Sequence, residues 1–153
     1  MVTTSIDGQS WQTPQVVFPT YALEGGGCAV MHQRMGFYIA PQDRLLVVAF
    51  YGISPDHLTF PNNGKGIGRV VREAYRDGTF GPIYFLRYNP HAGWSEENTN
   101  LPFYRTSPDQ GFIDACDALL ADKLMTQQWW EEDRSEDGFF TISGQKAFTS
   151  YHH

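Results

Sequence analysis

The run Leu45–Ile53, LLVVAFYGI, constrains this chain more than any other stretch of it. It is apolar at odd and even positions alike, so an extended segment here has no face left for water. Such a strand belongs in the middle of a sheet that is covered on both sides. The run is far shorter than the ~20 apolar residues that cross a bilayer. FYIA (Phe37–Ala40) precedes it across a turn at Pro41–Arg44, and the two read as a hairpin.

Other segments carry strand chemistry. VVFPTYAL (Val16–Leu23) is β-branched and aromatic, but Pro19 demotes it to an edge or broken strand. HLTF (His57–Phe60), IYFLRY (Ile83–Tyr88) and GFFTIS (Gly138–Ser143) read as further short strands. CAVMHQRM (Cys28–Met35) fits a short helix or a strand. Two helices are expected. Ile67, Val70, Val71, Ala74 and Tyr75 recur at helical spacing, with Gly78 and Pro82 closing the element. In the second, Ser107 caps, Pro108 sits in the first turn and Gln110 completes a capping box. Phe112, Ile113, Cys116, Leu119, Leu120 and Leu124 form its apolar face. The expected fold is a single α+β domain over residues 15–151. It has a mixed, largely antiparallel sheet of about five or six strands, with two main helices packed on one face. Residues 1–14 read as a flexible N-terminal segment, and His152 and His153 as a tag remnant.

A chain of 153 residues, 41% hydrophobic and 18% charged, is globular and long enough to bury a core. A formal net charge of −6 gives no support for capture of nucleic-acid phosphates. Two cysteines, Cys28 and Cys116, are too few for a secreted disulfide framework and fit a cytoplasmic protein. MVTTSIDGQSWQTPQ has neither the basic nor the apolar region of a secretory signal. Neither nucleic acid nor membrane is an expected partner.

Four stretches are candidate sites. FPNNGKGIGRVVREAYRDG (Phe60–Gly78) runs from a Gly-rich turn into the expected helix. A helix N-terminus offers free N–H groups and the positive end of a dipole. Gly64, Gly66 and Gly68 permit close approach, and Lys65 and Arg69 add positive charge, which makes a seat for phosphate or carboxylate. NGKGIGRVVREA resembles the pyrophosphate loop of the acyl-CoA-dependent N-acetyltransferase superfamily, whose pattern is Gln/Arg-x-x-Gly-x-Gly/Ala opening a helix. NPHA (Asn89–Ala92) resembles that family's Asn-x-x-Ala. The resemblance implies acyl-CoA as cofactor, with attack by a substrate amine. Asn63 stands where the family has Gln or Arg, and Glu96 where it has an aromatic. The structural alternative is a tight turn followed by a solvated arginine face.

Cys28 and His32 share a face one turn apart if their segment is helical, which would pair a nucleophile with a base. On a strand they stand ~13 Å apart and the pair dissolves. The long aperiodic stretch Asn89–Thr106 carries His91, Trp94, Glu96 and Tyr104, aromatic and acidic groups suited to a cationic or planar ligand. QQWWEEDRSEDG follows the second helix, with five acids among the seven residues Glu131–Asp137. Adjacent Trp129 and Trp130 cannot both face inward from one helix, so one belongs at a rim or interface. No His or Cys spacing fits a metal. The leading functional expectation is a small soluble binding domain for a small molecule or protein. Its aromatic and acidic pocket or interface uses Trp94, His91, Glu96, Tyr104 and Trp130, and exposed aromatic area favours a homodimer. The alternatives are the acyl-CoA-dependent N-acyltransferase built on Gly64–Arg69, with no cofactor otherwise expected, and an interaction protein without a pocket.

Overall fold

The computed structural model describes residues 1–54, 66–126, 139–142 and 145–148. Its centre is a five-stranded sheet in sequence order. The strands are β1 (Tyr21–Ala22), β2 (Cys28–Ala40), β3 (Arg44–Ser54), β4 (Gly66–Ala74) and β5 (Tyr84–Tyr88), each antiparallel to its neighbour. One main helix follows, α1 (Gln110–Ala121), with a short α2 (Lys123–Thr126) behind it. β6 (Phe139–Ile142) and β7 (Gln145–Phe148) form a separate antiparallel pair.

β3 is the central strand that its two-sided apolar pattern demands. Leu46 and Val48 leave the sheet on one face, where they join Val71, Tyr84 and Leu86 beneath Phe112, Ala115, Cys116 and Leu119 of α1. Val47, Ala49 and Tyr51 leave on the other, with Ile67, Val70, Phe85 and the incoming Val17 and Phe18. Tyr51 is fully buried, and its hydroxyl donates to the Pro19 carbonyl at 2.5 Å. That bond ties residues 17–23 across the second face.

The expected first helix does not form, because Gly66–Ala74 is strand β4. The helical spacing of its apolar residues has a different cause. Tyr51 pairs with Gly68 and Gly52 with Gly66, which leaves Ile67 as an extra residue in a bulge. The bulge turns Ile67 onto the same face as Val70, while Val71 goes to the face of α1. Gly68 permits this. Its φ is +157°, and an added Cβ would stand 2.2 Å from the Arg87 carbonyl oxygen. Cys28–Met35 likewise forms part of a strand, β2. The described residues are therefore mostly sheet with one main helix. The α+β arrangement of two helices on one sheet face is overturned, since the stretch assigned to the first helix supplies strand β4 instead.

The helix that does form starts two residues later than Ser107 would have it. Asp109 is the N-cap, and its carboxylate accepts from the Phe112 N–H at 3.1 Å. Ser107 accepts from the Asp109 N–H at 3.2 Å, and Gln110 donates to Asp114 rather than closing a capping box. Residues 1–15 fold back on themselves, with Val2 bridged to Gln15. His57–Phe60, Trp129, Trp130 and the acidic stretch after them lie outside the described residues.

Candidate functional site

The polar groups with the most built-up surroundings hold elements together. Arg44, at the start of β3, meets Glu73 of β4 at 2.9 Å and reaches both carboxylate oxygens of Asp109 at 2.9 and 3.2 Å. One guanidinium thus joins two strands to the cap of α1. The Arg44 hydrogen bond holds the Asp109 carboxyl below its usual range, while burial raises that of Glu73. Deeper in α1, Asp117 accepts from the Tyr104 hydroxyl at 2.6 Å and from Arg105 at 2.9 Å. Burial, reinforced by Asp117, pushes the Tyr104 phenol up to about 12. On the second face Arg72 donates to the carbonyls of Gly81, Phe80 and Val17, and its guanidinium lies 5.2 Å from the Phe80 ring centre. Burial lowers its pKa. Its donors are spent on main chain, so it acts as a clasp.

The residues nominated from the sequence are not brought together. Tyr104 is 2% exposed in the cluster under α1, whereas Trp94 is half-buried against the opposite face of the sheet. Glu96 is exposed in a short turn closed by Ser95 and Asn98. His91 falls in the turn Pro90–Ala92, and Trp130 lies outside the described residues. Gly64 and Lys65 also lie outside them. Gly66, Gly68 and Arg69 are strand residues, so the helix N-terminus on which the pyrophosphate cradle depends is missing. Arg69 is buried with its guanidinium 5.1 Å from the Phe50 ring centre. Cys28 and His32 lie on strand β2, which separates them. The Cys28 thiol is buried and donates to the Ser54 carbonyl at 3.1 Å.

Sequence reading missed Arg44 and Asp117, and took Arg72 for part of a charged helix face. Arg44 and Asp109 are 65 residues apart, and nothing local announces their meeting. Asp109 was findable, as the last acidic side chain before the apolar period of α1 begins. Among the described residues no cluster of three or more His, Cys, Asp or Glu could hold a metal ion, and no helix is long and apolar enough to cross a membrane.

A concave feature among the described residues lies elsewhere, at the Leu45 end of the second face. Val2, Phe37, Leu45, Ala74, Tyr75 and Phe80 line a space of about 120 Å³ together with Gln15 and several threonines. Small-molecule sites take ~300–1,000 Å³, so this cleft admits little more than one side chain.

The family model described as BT_1020-like, N-terminal beta propeller, matches residues 1–146. The chain belongs to this β-propeller family. A solved chain described as a sialidase superposes on it with a TM-score of 0.74 at 42% sequence identity, over 85% of this chain. The chain spans 13% of the length of that sialidase chain. No curated protein matches it. A propeller blade is typically a four-stranded antiparallel sheet, and propellers have 4–8 blades around an axis. β2–β5 have that form, with the two-residue β1 added at one edge. The membership replaces the picture of an α+β fold.

Proposed function

We propose that this chain is a non-catalytic binding and packing module of a larger sialidase-like protein, to whose propeller β2–β5 contribute one blade. The observation that carries the reading is the use made of the polar groups. Arg44, Asp109, Glu73, Asp117 and Arg72 are consumed in joining strands, helix and incoming chain. The aromatic groups expected to line one pocket stand on opposite sides of the sheet. The family description and the likeness to a sialidase chain support placement within a longer glycosidase-like architecture. On this reading the domain alone does not turn over a sialoside. The test is incubation of the purified chain with a fluorogenic sialoside at high enzyme concentration. Release of fluorophore at background rate is expected. Turnover that one substitution within the described residues abolishes would overturn the proposal.

A further inference from the structure

We propose that α1 is a proton-sensitive latch. A proton on Glu73 tightens the helix on the sheet in mild acid, and loss of that proton loosens it towards neutral pH. Glu73 lies beneath the helix. It pairs with Leu46 across to β3, as Val71 pairs with Val48, so its side chain leaves the sheet on the face that α1 covers. Only 12% of that side chain is exposed. Two carboxylates share one positive charge there, since Glu73 and Asp109 each stand 2.9 Å from the same Arg44 nitrogen. With both acids ionised, the cluster carries an excess negative charge in a partly buried setting, which is unfavourable.

The two acids are not equal. Asp109 accepts two bonds from Arg44 and one from the Phe112 N–H, and it is the more exposed. Glu73 accepts one bond, from Arg44, and is the better buried. A proton therefore goes to Glu73 first, which leaves Arg44 to Asp109, the cap of α1. The other titratable groups on this face are Cys116 of α1, Tyr84 of β5, Tyr38 of β2 and Tyr75 just past β4, none of them a cation. Arg76 and Asp43 face each other in the solvent nearby. Burial raises the Glu73 carboxyl above its ordinary 4.5, against the pull of Arg44. A raised carboxyl stabilises the folded state fully below that ordinary value, and the gain is lost as pH rises through the raised one. Asp109 is held below 3.8 and stays ionised throughout this range.

The test is amide hydrogen exchange on the whole chain at about pH 5 and about pH 7.5, corrected for the intrinsic pH dependence of exchange. Protection of the Phe112–Leu119 amides, relative to those of Val47–Ala49, should be at least about twofold higher at the acid end. Glu73→Gln fixes the neutral form and should keep the higher protection at both. A carbon-13 titration of the wild-type protein should place the Glu73 carboxyl above 4.5. Equal protection at the two ends overturns the proposal. A rise shared by helix and sheet amides overturns it too, because it reports the stability of the whole domain. A rise that survives in Glu73→Gln belongs to another group, such as a histidine, and overturns it as well. Should Glu73→Gln fail to fold, the wild-type titration decides, and a Glu73 midpoint at or below 4.5 removes the latch.

Discussion

Replacing Asp109 with alanine removes two interactions at once, and their sizes can be worked out separately. The first is the cap on α1, a carboxylate accepting from the Phe112 N–H at 3.1 Å. Loss of such a cap costs ~1 kcal/mol. The second is the two-pronged bond to Arg44 at 2.9 and 3.2 Å. The Asp109 side chain is 48% exposed, so solvent screens the pair and its share is ~0.5–1 kcal/mol. The sum is ~1.5–2 kcal/mol, or a fall in Tm of about 3–8 °C for a domain of this size. Asp109→Asn separates the parts, because asparagine caps as well as aspartate but carries no charge. It should lose only the ion-pair share. Urea unfolding of both variants measures the difference. The Arg44 bond keeps the Asp109 carboxyl below 3.8, so its stabilisation is complete above that value and disappears as pH falls through the folded pKa. The gap between wild type and Asp109→Asn should therefore close on acidification below pH 4. Asparagine costing as much as alanine, or a gap that does not narrow on acidification, would refute this division.

Other variants follow from the same packing. Gly68→Ala drives a Cβ to 2.2 Å from the Arg87 carbonyl oxygen at a positive φ. It should cost at least ~1–3 kcal/mol in thermal or urea unfolding. Asp117→Ala strips the acceptor from the buried Tyr104 hydroxyl, with an expected loss of ~1–3 kcal/mol. Tyr104→Phe in the same background should recover part of it. Arg72→Met leaves the Gly81 and Val17 carbonyls without a donor, and proteolysis should then cut near Val17 faster than in wild type. Both thiols are buried, and burial raises that of Cys116 to about 12. A thiol reagent at pH 8 should be silent on the native protein and count two cysteines once urea is added.

Much of the central architecture was legible in the sequence. The Leu45–Ile53 run announced a strand covered on both sides, and β3 has cores on both faces. The apolar period from Phe112 to Leu119 marked α1 because an isolated helix shows its buried face without interference. β4 was misread for a physical reason. It too is buried on both sides, so alternation is absent, and its bulge at Ile67 shifts the remaining apolar residues into a spacing of three and four. Gly66 and Gly68, read as a ligand turn, instead relieve crowding by Phe50 and by the backbone of β5. The site residues were less legible still. Trp94 and Tyr104 are ten positions apart in one loop, yet the chain carries them to opposite faces through Phe103, which touches both cores. Arg44 and Asp109 meet only because the sheet and α1 meet.

The account stands on β4 being extended in the middle of the sheet, and proton NMR tests that directly. Cross-strand contacts linking Val48 with Val71 and Ala49 with Val70 are the predicted result, following the register of β3 against β4. Contacts three residues apart along the chain, from Ile67 to Val70 and from Val70 to Glu73, would contradict it and restore a helix.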